Sequence, residues 1–160
     1  MSPGCNRSIR SGDRGCSGPF GGDNRATSLM TVLIADNDRA VSGLLTDVLQ
    51  QSGLRLRHAY DGEQARHMAR EPGLKVLVCD LDMPRASGLE VLESMLDLPR
   101  PPRTVVISGY LDARVEARLR ALPFVCAVLR KPFDLLAFSA MVTRLYAGGG
   151  GPAKNASYGA

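Results

Sequence analysis

Apolar residues along this chain form short runs that alternate with stripes of helical spacing. The first run, Thr31–Ala35, is rich in β-branched residues, as expected of a strand that is buried on both faces. After it, apolar residues from Val41 to Leu49 recur every three or four positions, which is the spacing of one helix face. The same pattern predicts strands over five segments, each followed by a helical stripe: Thr31–Ala35, Leu54–Ala59, Lys75–Cys79, Thr104–Ile107 and Val125–Leu129.

This alternation predicts an α/β fold. Strands separated by single helices pair in parallel through right-handed crossovers, so the expected architecture is a doubly wound five-stranded parallel sheet with five helices on its two faces. Asp61 and Gln64 are spaced like a cap pair for the second helix, and Asp134 can cap the last one. Ligands of such sheets bind at the carboxyl ends of the strands, which directs attention to the loops there.

Composition divides the chain into a middle segment and two glycine-rich ends. Residues 1–29 and 147–160 hold 11 of the 17 glycines, whereas residues 30–146 hold fifteen basic and fourteen acidic residues. We therefore expect a disordered N-terminal extension over 1–29, one folded domain over 30–146 and a Gly-rich disordered tail over 147–160. A nearly neutral folded part gives no electrostatic case for a nucleic-acid-binding face.

The chain also lacks the signals of membrane insertion and secretion. It has no run of about 18 apolar residues, and its first residues are polar, unlike a signal peptide. The four cysteines form no CxxC pair, and Cys79 and Cys126 lie within apolar runs, where a reduced cysteine acts as a small hydrophobe. We expect a cytoplasmic protein without membrane contact or structural zinc.

Polar side chains follow four of the five predicted strands, at the point where each apolar run ends. They are Asp36, Asn37 and Asp38 after the first strand, Asp80 and Asp82 after the third, Ser108 after the fourth and Lys131 after the fifth. Clustered oxygen ligands suit a hard cation such as Mg²⁺, and a carboxylate beside such a metal can take up a phosphoryl group as an aspartyl phosphate. A lysine and a hydroxyl can hold the phosphoryl oxygens. The pattern therefore predicts phosphoryl chemistry at this edge of the sheet.

The segments that carry these residues are IADND, VCDLDMPRASGLEVL, VVISGY and RKPF. Together they resemble the receiver domain of two-component response regulators, and the resemblance extends from Met30 to about Tyr146. It implies a flavodoxin-like receiver fold and a signalling domain rather than an enzyme. It also implies a partner histidine kinase or histidine phosphotransfer protein as the phosphoryl donor.

The resemblance further implies a role for each matching residue. Asp80 would be the phosphoacceptor, and Mg²⁺ would be held by Asp36, Asn37, Asp80 and the backbone carbonyl of Asp82. Ser108 and Lys131 would contact the phosphoryl group. Pro84 and Gly88 would shape the loop that closes over the site, and a cis peptide is expected between Lys131 and Pro132.

Two positions depart from the receiver pattern. Asn37 stands where the family keeps a second acidic residue; its amide brings no charge, so we expect weaker metal binding and slower phosphotransfer, with Asp38 as a neighbouring acid that could compensate through water. Val128 stands where the family often has an aromatic switch residue, which leaves Tyr110 as a candidate carrier of the signal or as an ordinary surface aromatic. Both departures support an alternative function, a receiver-like adaptor that binds partners without phosphorylation.

Two other functions compete less well. The DLDMP segment also resembles the nucleophile motif of haloacid-dehalogenase-type phosphatases, but only Asp134 follows Lys131 as a further acid. A DNA-binding output is not expected from residues 147–160, since so short a segment cannot fold a reader helix and its support. We therefore expect a single-domain regulator that signals through protein contacts, with a partner face formed by the fourth helix, fifth strand and fifth helix, roughly 111–120 and 125–146.

Overall fold

A computed structural model describes residues 31–149 and 157–158 of the chain. Strands and helices alternate through the first of these ranges, as the sequence pattern predicts. The strands are β1 (Thr31–Ala35), β2 (Leu56–Ala59), β3 (Leu74–Asp80), β4 (Arg103–Ser108), β5 (Val125–Arg130) and β6 (Ser157–Tyr158). The helices are α1 (Arg39–Gln50), α2 (Gly62–Ala69), α3 (Gly88–Glu93), α4 (Ala113–Arg120) and α5 (Leu135–Tyr146).

All strand pairs in the sheet are parallel, in the order β2-β1-β3-β4-β5-β6. The doubly wound α/β fold expected from the sequence is confirmed, since the five long strands and five helices occur where the apolar pattern places them. Because the order reverses at β1, the connections after β1 and β3 leave in opposite directions, and the carboxyl ends of these two strands are where ligands bind in sheets of this kind.

Alternate residues of the strands build two separate cores, one on each face of the sheet. Val32, Ile34, Val76 and Val78 pack with α1 and α5, whose innermost side chains include Phe138. The opposite face buries a second set against α2, α3 and α4: Leu33, Ala35, Leu77, Cys79, Val106, Leu92 and Leu119. Strands covered on both faces must be apolar throughout, which explains the continuous apolar runs of the sequence.

Each helix begins at a polar cap on the carboxyl-end side of the sheet. The caps are Asp38, Asp61, Ser87, Asp112 and Asp134, each of which accepts hydrogen bonds from backbone amides of the first turn. The expected caps at Asp61 and Asp134 are confirmed. Since Asp134 accepts from the amides of Leu136 and Ala137, it serves as a helix cap, which weakens its use as the extra metal ligand that a dehalogenase-type phosphatase needs.

The strand β6 is an element that the sequence analysis did not predict. Ser157 pairs with Val128 and Tyr158 with Leu129, so the end of the chain continues the sheet beyond β5. The expected extension over residues 1–29 and most of the expected tail lie outside the described residues. No helix within the described ranges is long and apolar enough to cross a membrane.

Candidate functional site

Three charged side chains from separate strands meet at the carboxyl end of the sheet. Asp36 follows β1, Asp80 ends β3 and Lys131 follows β5. The Lys131 Nζ lies 2.9 Å from Asp80 Oδ2 and 3.1 Å from Asp36 Oδ2, so it donates to both carboxylates. Asp36 is fully buried and Asp80 is 4% exposed. Two carboxylates that the sequence separates by more than forty positions thus share one cation in a nearly closed site.

Burial and mutual contact set the charges in this cluster. Burial raises the pKa of Asp36, and the nearby charge of Asp80 acts in the same direction, against the hydrogen bonds from Asp38 and Lys131. Burial alone would lower the pKa of Lys131, but its hydrogen bonds to Asp80 and Asp36 outweigh that effect and raise it. Lys131 is therefore a cation at neutral pH, paired with two carboxylates at the carboxyl end of the sheet.

The inner oxygens of the two carboxylates are fixed by backbone amides. Asp36 Oδ1 accepts from the Asp38 amide at 2.8 Å, and Asp80 Oδ1 accepts from the Asp82 amide at 3.3 Å. Asp38 itself accepts from the amides of Ala40 and Val41, so its carboxylate is engaged as the cap of α1. The loops after β1 and β3 are therefore tied directly to the two acids.

Ser108 lies at the end of β4 and is fully buried. Its hydroxyl donates to the backbone carbonyl of Tyr110 and accepts from the Tyr110 amide at 3.2 Å. The Ser108 carbonyl accepts from the Lys131 amide at 2.8 Å, which joins the β4 and β5 ends of the site. The side chain of Tyr110 is 77% exposed, so the contact uses its backbone and leaves its ring at the surface.

Gly88 begins α3 directly against the backbone of Asp80. A Cβ at this position would lie 2.1 Å from the Asp80 carbonyl oxygen, which is far inside van der Waals contact. The capping box at Ser87 and Glu90 fixes the start of the same helix. Any residue larger than glycine would therefore push α3 away from Asp80. The cis peptide expected between Lys131 and Pro132 is present.

The family model of the response regulator receiver domain matches residues 32–143. This chain belongs to that family. A comparison with curated proteins gives no match.

Solved receiver structures share the fold of this receiver at low sequence identity. A CheY-like receiver domain protein from Methanospirillum hungatei has a TM-score of 0.69 at 18% identity, covering 75% of this chain and 95% of its own. A Francisella response regulator receiver domain has a TM-score of 0.66 at 22% identity, covering 74% and 97%. The Thermotoga maritima response regulator TrrA, solved in complex with Mg²⁺-BeF, has a TM-score of 0.63 at 22% identity, covering 72% and 97%.

Two of the residues expected to hold Mg²⁺ come together in the structure, and from Asp82 the expected ligand is the backbone carbonyl rather than the side chain. Asp36 and Asp80 share Lys131, whereas Asn37 and the Asp82 side chain are exposed at the rim. No group of three or more His, Cys, Asp or Glu side chains within the described residues is arranged to hold a metal. The donor set is nevertheless made of oxygens, which suits a hard divalent cation, and the positive charge that the two buried acids attract is supplied in this structure by Lys131.

Sequence reasoning missed several features of the site. It paired Lys131 with a phosphoryl group but not with Asp36, and it gave no role to the ion pair between Arg85 and Asp61, whose atoms are 3.3 Å apart. The S-x-x-E spacing at Ser87 could have revealed the capping box. The Arg85 contact had no such signal, because it joins two loops of different strands.

Behind the site lies a cysteine that takes no part in it. Cys79 precedes Asp80 and is fully buried, with its thiol 3.4 Å from the Asp80 carbonyl oxygen. Burial raises the pKa of this thiol well above its usual range, and the neighbouring carboxylates add to the effect. Cys79 is therefore a neutral, apolar packing residue at neutral pH, as its place in an apolar run predicts.

Proposed function

We propose that this receiver accepts a phosphoryl group on Asp80 from the phosphohistidine of a partner histidine kinase or phosphotransfer protein, in a Mg²⁺-dependent reaction. The observation that carries the proposal is Lys131, whose ammonium group lies 2.9 Å from Asp80 and is anchored by the fully buried Asp36. A half-buried cation beside a buried carboxylate provides charge stabilisation for an anionic group attached to that carboxylate.

In the reaction, an Asp80 carboxylate oxygen attacks the phosphorus and the bond between phosphorus and the donor histidine nitrogen breaks. The electron pair of that bond leaves with the histidine, and the product is an aspartyl phosphate. Lys131 would exchange its contact with Asp80 for one with a phosphoryl oxygen. Ser108 would donate its hydroxyl to another such oxygen once it releases the Tyr110 carbonyl, which it now contacts.

The residues proposed to hold Mg²⁺ are Asp36, Asp80 and the backbone carbonyl of Asp82, with the Asn37 amide at the rim. When bound, the metal neutralises the charge that accumulates on the oxygens around the phosphorus. The chain itself supplies the buried carboxylates and the amides that orient them, at 2.8 Å for Asp36 and 3.3 Å for Asp80. With an amide in place of a second acid at position 37, we expect the metal to bind more weakly than at a fully acidic site.

The signal would leave through the face of α4, β5 and α5. Ser108 and Lys131 are adjacent to α4 and β5, so a phosphoryl group that attracts them can shift the surface that these elements form. Arg130, at the end of β5, donates to the Leu111 carbonyl before α4 at 3.0 Å and links the two elements. A protein partner on this face is favoured over nucleic acid, because two of the three arginines of α4 are engaged by acids: Arg118 with Glu93 and Arg120 with Glu116.

A phosphorylation-independent adaptor is the second candidate. It is favoured by Asn37, which is exposed and uncharged, and by Val128, which has no ring to rotate inward. The adaptor would use the same partner face without a covalent step.

A titration with beryllofluoride, and separately with acetyl phosphate, distinguishes the two functions. In millimolar Mg²⁺, NMR should show shifts at residues around Asp80 in the wild type and none in Asp80→Ala. Asp97→Ala, which removes an exposed acid remote from the site, is the matched control and should respond like the wild type. Absence of any response in the wild type would contradict phosphorylation and favour the adaptor.

A further inference from the structure

The loop between β3 and α3, residues 81–87, is fastened to the start of α2. The Gly62 amide donates to the Pro84 carbonyl at 3.0 Å, and the Ala86 amide donates to the same oxygen at 2.9 Å. The approach is so close that a Cβ on Gly62 would lie 1.9 Å from the Ala86 carbonyl oxygen. The middle of the loop therefore rests directly on α2.

An ion pair reinforces this contact. Arg85 has a φ of 70° and is the one non-glycine residue within the described ranges with a positive φ. Its Nη1 lies 3.3 Å from Asp61 Oδ2, and the Asp61 side chain is only 9% exposed. Asp61 Oδ1 accepts from the Gln64 amide at 2.8 Å, so one oxygen caps α2 and the other binds the loop.

The left-handed backbone of Arg85 has an energetic cost that this contact can offset in part. Such a conformation is unfavourable for an ordinary L-residue, because its Cβ comes too close to the following carbonyl oxygen. Glycine would adopt this conformation freely. The chain instead has arginine at position 85, and its side chain reaches the shielded carboxylate of Asp61. The Arg85 side chain, which is 68% exposed, thus ties the loop to the shielded cap of α2.

The loop that is fastened in this way carries groups of the phosphoryl site. The Asp82 amide donates to Asp80, and the Gly88 amide donates to the Leu81 carbonyl at 3.0 Å. We propose that the Asp61–Arg85 pair is a positioning device, which holds this loop so that the Asp82 carbonyl and the start of α3 are placed at the site before a ligand arrives. The inference rests on the proposed function, because it assigns these groups to Mg²⁺ and phosphoryl binding. A loop that is already ordered before the ligand binds loses less conformational entropy on binding, which strengthens the binding.

Four variants test this inference. Asp61→Asn keeps a good helix cap but loses the charge that Arg85 contacts. Arg85→Met loses the cation and keeps the apolar stem, Arg85→Lys keeps a cation, and the double variant Asp61→Asn/Arg85→Met completes a cycle. Arg70→Met is the matched control, because Arg70 pairs with Asp97 at 2.9 Å at the opposite end of α2.

Two measurements are made on each full-length protein: the dissociation constants for Mg²⁺ and for beryllofluoride in Mg²⁺, and the hydrogen-exchange rate of the Gly62 amide. Asp61→Asn and Arg85→Met should each weaken Mg²⁺ binding about two- to fivefold, the range expected for a partly shielded ion pair. Each should also speed exchange at Gly62. The double variant should match the singles, since both remove one interaction. Arg85→Lys should recover part of the loss.

Unchanged metal affinity and Gly62 exchange in both single variants would overturn the inference, as would an equal loss in Arg70→Met. Additive losses in the double variant would also contradict it, since independent effects add. A wild type that binds beryllofluoride, with variants that bind it equally well, contradicts this inference alone. A wild type that binds neither Mg²⁺ nor beryllofluoride contradicts the proposed function and this inference with it.

Discussion

The two ends of the sheet use positive charge in opposite ways. At the carboxyl end, Lys131 lies among buried carboxylates, where it neutralises acids that would otherwise repel each other. At the amino end, Lys75 and Arg103 donate to the last carbonyls of α5, with Lys75 Nζ 3.1 Å from the Tyr146 oxygen and Arg103 Nη1 2.7 Å from the Leu145 oxygen. The amino-end contacts satisfy carbonyl groups at the end of α5. The carboxyl-end cluster buries charged groups that the stability of the fold does not require.

Removing one lysine from each end should separate these roles most clearly. Lys131→Met should slow phosphorylation of Asp80 by about 100- to 1000-fold, the effect expected when one preorganised charge donor is lost. Lys75→Met should leave that rate unchanged and lower the free energy of unfolding by about 1 kcal/mol through loss of its hydrogen bond and ring contact. Acetyl phosphate kinetics and urea unfolding check the two results. Equal phosphorylation rates in the two variants would show that Lys131 and Lys75 do not differ in their effect on phosphorylation.

Two glycines offer a second contrast. Gly88→Ala should lower the free energy of unfolding by about 2–3 kcal/mol, because its Cβ would collide with the Asp80 backbone. Gly43→Ala, within α1, should raise it by about 0.5–1 kcal/mol, since nothing lies within 4 Å of the added methyl. Urea denaturation measures both changes. A stable Gly88→Ala protein with unaltered NMR shifts at Asp80 would show that α3 can move away without affecting the site.

Replacing Asn37 by aspartate tests whether the number of negative charges at the carboxyl end of the sheet limits the affinity for Mg²⁺. Asn37→Asp should tighten Mg²⁺ binding by about tenfold, because a third carboxylate joins the oxygen donors at this edge. Asn37→Ala should not tighten it. Isothermal titration of Mg²⁺ into each variant gives the comparison, and equal affinities in the wild type and Asn37→Asp would exclude position 37 from the metal site.

The smallest effect is expected outside the cluster of Asp36, Asp80 and Lys131, at His58 of the edge strand β2. Its Nδ1 lies 3.0 Å from Ser42 Oγ, and burial lowers the pKa of the imidazole. Because the folded pKa lies below the unfolded value of about 6.5, the unfolded chain binds more protons as pH falls through that value. Stability should therefore be full above pH 6.5 and decline below it.

His58→Gln, which cannot be protonated, should flatten that decline. Urea midpoints measured between pH 7.5 and 5.5 provide the test. An identical pH slope in the wild type and the variant would assign the decline to other groups.

Most of the fold could be predicted from the sequence because its strands are buried on both faces. A strand that is covered on both faces is apolar at every position, so it is visible in the sequence as an apolar run. β1 and β5 begin at the predicted residues. Edge strands obey it less strictly: β2 begins at Leu56 rather than Leu54, although Leu54 is still buried. The short β6 was missed because two residues beyond a glycine-rich segment carry no periodicity.

The candidate site was predictable in its membership but not in its contacts. Strand-end placement indicated Asp36, Asp80 and Lys131, since parallel strands bring their carboxyl ends to one edge. That Ser108 bonds the Tyr110 backbone, or that Arg85 reaches Asp61, depends on side-chain directions and loop packing. Such contacts join residues with no fixed spacing in the sequence, so no sequence pattern predicts them.

The burial of Cys79 has a consequence for the chemical durability of the site. Alkylating agents and peroxides attack the thiolate, and a fully buried thiol with a raised pKa presents almost none of it. The sulfur that lies against the backbone of Asp80 is therefore shielded from oxidation, although the next residue carries the carboxylate that we propose as the phosphoryl acceptor. The proposed phosphorylation of Asp80 should continue unchanged under oxidising conditions that modify exposed thiols.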